Sequence, residues 1–474
     1  MNSLVTKLQN LFSSQKKRSG EAVDKTKKGN KKYALKDDSI LKLLYLFVGP
    51  AVLGLLINAL YNFIDRIFVG QFVGVDGLSA VTMVFPVTLF QFGFVLLFGS
   101  GAGILIAKYL GESKLEIAED VLGNAIAGLL VVMVVFTGAG LLFYKPLLVL
   151  FGASGELLSL SAEYLLVIIL GFPLSFFLAF EFTCRAEGNP RLPAILVIIS
   201  CVVNVTLDYV FMKILNLGIQ GAALATISAQ AFNALYLISY YVSGKSVVKI
   251  VWHKIKIKKQ FILPLLLVGT APFLMDLAIS FQNIFANHLL LQTGGSNGVA
   301  AMGILFGINV FFMMTALGTG DGMQPIISFN FGAKQYNRAF KTLEYALKFV
   351  TLFALIGWFI LEVFPAQLTS IFIDGNEEVI GITKTALKIF AISIPFYTIQ
   401  IVITRYFQAL QLNKVATFLA LLRPILLFVP IAYCLNNWYG LNGIWAAFPI
   451  SDSLSAILSL ILVKKYSLKK INAQ

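Results

Sequence analysis

The chain has 474 residues, of which 58% are hydrophobic and only 13% charged, with a formal net charge of +14. A water-soluble globular chain carries about 25% charged residues, so composition excludes an ordinary soluble protein. Apolar segments long enough to cross about 30 Å of hydrocarbon as helices recur throughout, without the polar–apolar alternation of a membrane barrel, so the expected fold is an all-α polytopic membrane protein.

Residues 1–38 are polar and lack the apolar core of about 7–15 residues that a signal peptide needs; they read as a disordered basic cytoplasmic tail. Twelve apolar spans follow. Six lie near 41–72, 79–107, 117–144, 158–184, 192–212 and 218–242, and six near 261–291, 298–328, 338–364, 380–407, 414–435 and 441–463. This divides the chain into an N-lobe at 39–243, a lysine-rich cytoplasmic linker at 244–260, a C-lobe at 261–466 and a tail at 467–474. Lysines and arginines concentrate before the first span, in the linker and after the last span. With an even number of spans these regions share one side, which the positive-inside rule makes the cytoplasm. The opposite loops are lysine-poor, and the one ending IDGNEEV at Val379 is acidic. The positive charge is therefore a topology signal that also suits anionic lipid headgroups. Nucleic acid is excluded as the partner.

Along the chain, intramembrane polar groups carry the functional signal, because a charge at the bilayer centre costs about 3 kcal/mol or more. The first span, with LYNFIDRIFVG, places Asp65 in its last two turns and offers Tyr61 and Asn62 to a cavity. In the fourth span Glu181 and Arg185 are four apart and predict an ion pair at the helix end. The fifth, IISCVVNVTLDYVFM, carries Asn204 and Asp208 on one helix face. The sixth returns from Gly218 and brings Thr226 to the depth of Asp208. Carboxylates, an amide carbonyl and a hydroxyl are hard oxygen donors suited to a small hard cation such as Na⁺. Two carboxylates in low dielectric also resist being charged together, so the same cluster suits a proton.

After the sixth span, SGKS imitates the end of a phosphate-binding loop, but Ser239 stands where the loop needs glycine. No nucleotide site is expected, and ATP is not the energy source. Asp276 follows Pro272 in the seventh span and either attracts a cationic substrate or proton or pairs with Arg423. Gln282 and Asn283 are cavity candidates there, and His288 reads as an interfacial group. In the eighth span Met313, Asp321 and Gln324 are further candidates; the glycines around Asp321 predict a locally broken helix or close packing. The tenth span has no mid-membrane acid, and Asp452 in the twelfth has no evident role. Cys184, Cys201 and Cys434 lack metal-ligand or disulfide spacing. No catalytic constellation is present, no cofactor beyond the coupling ion is expected, and a functional monomer is anticipated.

The two halves repeat. Without a gap, Gly77, Ala80, Phe85, Phe90, Leu96, Gly99, Gly101, Ile106 and Gly111 meet Gly298, Ala301, Phe306, Phe311, Leu317, Gly320, Gly322, Ile327 and Gly332. Six spans per copy makes the repeats parallel, related by a pseudo-twofold along the membrane normal, which suits a transporter that rocks two bundles about a central site. The second copy has Pro430 or Ile431 opposite Asp208 and Phe285 or Ala286 opposite Asp65, so cation coupling is expected in the first lobe alone.

IDRIFVG in the first span, NVTLDYVF with Thr226 eighteen residues beyond Asp208, and GIQGAALAT from Gly218 resemble the multidrug and toxic compound extrusion (MATE) transporters. RAEGNP (Arg185 to Pro190) and QPIISFNFGAKQYNRA (Gln324 to Ala339) resemble its bacterial DinF/MepA-type branch. The resemblance covers essentially all of 40–465. It implies twelve helices in two lobes, a bacterial inner-membrane location, and cation-driven export of organic, often cationic, drugs. It also implies a first-lobe cation site at Asp65, Asn204, Asp208 and Thr226. The alternatives are a flippase for a lipid-linked saccharide and, from a different class, a non-transporting sensor or scaffold.

Overall fold

In hydrocarbon every backbone N–H and C=O must be satisfied within the chain, which leaves the helix as the form these apolar segments adopt. The computed structural model describes residues 35–370 and 377–471 and contains no strand among them. Eleven of its helices are long and apolar enough to cross a membrane, and a bent pair makes a twelfth. The first six are α1 (Ile40–Phe72), α2 (Asp76–Gly111), α3 (Leu115–Leu150), α4 (Gly155–Ala186), α5 (Arg191–Ile214) and α6 (Gly218–Val242). The second six are α7 (Lys259–Gly295), α8 (Asn297–Gly332), α9 (Tyr336–Val363), α10 (Glu377–Ala391 with Ser393–Ala409), α11 (Asn413–Tyr439) and α12 (Leu441–Tyr466). The chain is thus an all-α multi-pass membrane protein.

Local departures from the ideal helix mark four spans. α4 tightens into a 3₁₀ turn at Phe176–Ala179, and α10 bends by 48° between its two segments. α5 and α11 each contain a wider π-helical turn, at Tyr209–Ile214 and Leu422–Leu427. The helix breaks between α7 and α8 at Gly295, the last residue of α7, with φ 58° and ψ −154°. Only glycine adopts that geometry without steric cost. Around Asp321, α8 runs unbroken, which decides between the two expectations there: the glycines serve close packing and do not break the helix.

That packing joins the two lobes. A Cβ on Gly101 would stand 2.4 Å from the Leu265 carbonyl oxygen, and one on Gly269 would stand 1.8 Å from that of Leu97. The repeat-related contacts are Gly322 on Val48 and Gly318 on Val52, each at 2.6 Å from the backbone. On the pseudo-twofold axis, Gly111 would meet the Phe329 carbonyl at 2.0 Å and Gly332 that of Lys108 at 2.1 Å. Small residues let helix backbones approach this closely in a membrane. Lys108 also donates across the lobes to Gln411 Oε1 at 3.0 Å. The lobes are therefore clamped in the half of the bundle that carries the termini.

Two buried cores form, one per lobe, but they exchange helix ends. Leu35 to Val48, at the start of α1, pack into the second-lobe core, and Leu265 and Val268, at the start of α7, pack into the first. The expected free tail ends earlier than residue 38: Arg338 donates to the carbonyl oxygens of Leu35 at 3.3 Å and Asp38 at 2.7 Å. The rest of that tail, 1–34, most of the acidic loop at 371–376 and the last residues, 472–474, lie outside the described residues. The final helix continues to Ile471, through most of the expected tail.

The linker is fastened to the first lobe. Lys254 pairs with Glu119 at 3.1 Å, and the Lys258 amide donates to Asn124 Oδ1 at 2.6 Å. Glu187 accepts from Tyr240 Oη at 2.5 Å and from the amides of Val247 and Val248 at 2.8 and 3.2 Å.

Candidate functional site

The i, i+4 spacing on α5 turns Asn204 and Asp208 to one face, and α1 packs against that helix and brings Asp65 to it. All three side chains are buried: Asp65 is 7% exposed, Asn204 1% and Asp208 0%. Asp65 and Asp208 are neighbours, each in the electrostatic field of the other. Yet Asp65 Oδ1, both Asp208 oxygens and both polar atoms of the Asn204 amide have no hydrogen-bond donor or acceptor partner. Two ionised carboxylates cannot satisfy one another, because each only accepts. Each buried unsatisfied group costs about 1–3 kcal/mol, more when charged. The pair therefore lacks a compensating positive charge, a deficit that a shared proton or a small cation is chemically suited to fill.

No salt bridge provides that charge among the described residues. Arg66 is exposed, with its guanidinium 5.6 Å over the Phe85 ring. Thr226 is half-buried on α6, which packs against α5, but it makes no hydrogen bond to the other three among the described residues. Two phenols border the carboxyl pair: Tyr61 on α1 and Tyr164 on α4 both lie in the electrostatic field of Asp65 and Asp208. Tyr164 was invisible in the sequence as a site residue, since it sits in the apolar run SAEYLLV. The available signal was a tyrosine inside a membrane helix, whose hydroxyl needs a polar neighbour when buried. The π-helical turn of α5 starts at Tyr209, directly after Asp208, and such turns favour functional positions. Among the described residues, no group of three or more His, Cys, Asp or Glu side chains could hold a metal.

A second polar cluster lies between the lobes. Asp321 on α8 sits 4.0 Å from Arg185 of the first lobe and 3.5 Å from Arg405 of the second. Gln324 donates to Gln408 Oε1 at 2.7 Å, and Gln408 donates to Ser100 Oγ at 3.0 Å across the lobe boundary. Asp276 belongs to the same neighbourhood, with Arg405 and Asp321 as its charged neighbours. Of the two roles open for Asp276, the pairing with Arg423 is the one that fails: Arg423 pairs with Asp452 at 3.6 Å. Arg405 and Gln408 were missed in the sequence, although ITRYFQ puts both inside an apolar span. Glu181 and Arg185 do form the expected ion pair, at 3.3 Å, and Asn233 donates to Glu181 at 2.9 Å.

The remaining cavity candidates are spread out. Tyr61 is half-buried, and Asn62 is exposed and donates to the Asn58 carbonyl at 2.8 Å. Gln282 is buried with its Nε2 unpartnered, whereas Asn283 and Met313 are half-buried. His288 is exposed and lies 3.1 Å from Gln292 Nε2.

The MatE family model matches residues 50–210 and 273–434, one segment in each lobe. The multidrug export protein MepA of Staphylococcus aureus (strain MSSA476) is 26% identical over 438 residues, spanning 91% of this chain and 95% of that protein. MepA of Staphylococcus saprophyticus is 25% identical over the same shares of each chain. Among solved structures, an outward-facing multidrug resistance MATE family transporter of the MOP superfamily superposes with a TM-score of 0.88. It is 24% identical and covers 94% of this chain and 100% of that one. A MOP superfamily transporter from Pyrococcus furiosus gives a TM-score of 0.87 at 22% identity, over 93% of this chain and 98% of that one.

Proposed function

The chain belongs to the MatE family of multidrug efflux transporters, and we propose that it is a cation-coupled antiporter exporting lipophilic, often cationic, organic compounds by alternating access. The coupling ion, a proton or Na⁺, binds at Asp65 and Asp208, with Asn204 on the same face of α5 and Thr226 on the neighbouring α6. The observation that carries this reading is the buried, neighbouring carboxyl pair, with three of its four oxygens unpartnered.

The helix that holds Asp65 also supplies a route for coupling. α1 begins in the second-lobe core, lays Val48 and Val52 against Gly322 and Gly318, and carries Asp65 into the first lobe. Thirteen residues of helix separate Val52 from Asp65, about 20 Å at 1.5 Å per residue. Neutralising the carboxyl pair changes how closely α1 and α5 pack, and α1 conveys that change to the glycine contacts between the lobes. A cation entering the first lobe thereby lowers the affinity for a bound drug. Drug binding lowers cation affinity by the same factor, since linkage is reciprocal.

Vesicles containing the purified protein and loaded with a cationic fluorescent dye test this. Inward sodium and proton gradients are imposed separately. At least one gradient is expected to drive dye uphill, and the matching ionophore should stop it. Dye movement that ignores both gradients would leave a passive scaffold or an uncoupled flippase as the better description.

A further inference from the structure

The second lobe also buries an acid, and the repeat shows where it stands. Asp452 lies on α12, the counterpart of α6, and is 0% exposed. Arg423 lies on α11, the counterpart of the helix that carries Asn204 and Asp208. Its Nη1 is 3.6 Å from Asp452 Oδ1, and Ser393 Oγ on α10 donates to Asp452 Oδ2. The guanidinium lies 5.5 Å over the Tyr397 ring, and the Tyr397 hydroxyl donates to Asn309 Oδ1 at 2.5 Å. Arg423 falls inside the π-helical turn Leu422–Leu427, about two helical turns before Pro430 or Ile431, the positions opposite Asp208, whereas the π-helical turn of α5 follows Asp208.

Each lobe thus has a buried acid, a tyrosine from its fourth helix and a π-helical turn on its fifth. They differ in the source of positive charge. In the first lobe no ion pair supplies it among the described residues, and Arg66 acts on Asp65 only at a distance from an exposed position. In the second it is built in. We propose that Arg423 is a tethered cation that permanently fills the second lobe's acidic site, and so limits cation exchange to the first lobe. Arg423 then sets the number of coupling ions moved per cycle, although it touches neither the drug nor the first-lobe carboxyls. A guanidinium suits the role because it stays charged at all physiological pH values, even when buried. It also stacks on the Tyr397 face, which holds it in place.

This inference rests on the first-lobe reading above, and the experiment separates the two. Sodium ions and protons bound by the purified protein are counted by calorimetry with parallel pH titration. The wild type is expected to bind one cation equivalent, and Asp208→Asn to lose it. Arg423→Gln is expected to bind two, the second taken by the unpaired Asp452. Arg423→Gln combined with Asp452→Asn should return to one. Melting temperatures should agree: Arg423→Gln gains a dependence on sodium or pH that the double variant lacks. An Arg423→Gln protein that binds only one equivalent overturns the tethered-cation proposal and leaves the first-lobe site intact. Wild-type binding that survives Asp208→Asn overturns the first-lobe site instead. Should Arg423→Gln fail to accumulate, Arg423→Lys takes its place. It keeps a tethered charge and is expected to bind one equivalent, so two would overturn the proposal.

Discussion

An Asp208→Asn transporter is expected to accumulate and fold normally yet lose gradient-driven export of a cationic dye. The substitution keeps the side chain's shape but removes the charge that must be neutralised. Its new amide brings a donor next to the unpartnered oxygen of Asp65, which eases a buried polar deficit. The melting temperature should stay level or rise. Coupling between two ligands is typically worth about 1–3 kcal/mol, roughly 5–150-fold in affinity, and all of it vanishes when the site no longer changes charge. Driven dye export from vesicles should therefore fall to the passive leak, a loss of about tenfold or more by that same scale. Stability kept and transport lost separates a coupling role from a structural one. Driven export at the wild-type rate, with the protein folded, would show that Asp208 merely packs.

The second large effect belongs to the glycine contact on the pseudo-twofold axis. Gly111→Val should force the lobes apart on the terminus-bearing side, because even a Cβ there stands 2.0 Å from the Phe329 carbonyl oxygen. Backbone is on the receiving end, so no flexible side chain can move aside. Overpacking of this kind costs about 1–3 kcal/mol. Applied to the closed arrangement alone, it shifts the equilibrium towards opening on that side. Spin labels at exposed Ser113 and Lys334, which are repeat-mates just past this contact, should report the change. The distance distribution is expected to move outwards, and Gly332→Val should do the same because Gly332 meets Lys108 symmetrically at 2.1 Å. Unchanged distances in both variants would mean that this contact does not hold the lobes together.

The sequence displayed membrane class, span count and the parallel repeat because each rests on long-range averages. Apolar runs and an ungapped frame survive local irregularity. The aligned glycines were visible as a pattern before their purpose was: Gly101 with Gly322 and Gly111 with Gly332 turned out to be the inter-lobe contacts. The bend of α10 was hidden, since it falls around Ile392, with the nearest proline at Pro395 inside the second segment. Also hidden was the exchange of helix ends between cores, because no local signal tells the start of α1 which lobe it will join. At the site, Asn204 and Asp208 were legible from their spacing. The approach of Asp65 depended on two helices running side by side, which the span order only suggested. Thr226 reached the right helix without a hydrogen bond to the others. Pairing with Arg423 stayed open as one of two roles for Asp276 because Asp276 and Asp452 are equally apolar in context; only helix neighbourhood decides which acid meets the arginine, and it is Asp452 on α12.

The proposed coupling depends on a mobile positive charge between Asp65 and Asp208. The most direct measurement counts the protons and sodium ions released when the purified protein, in detergent and without any gradient, binds a cationic dye. The wild type should release close to one cation for each dye bound, whereas Asp65→Asn and Asp208→Asn should bind dye and release none. Equal release from the variants, or none from the wild type, would contradict the account.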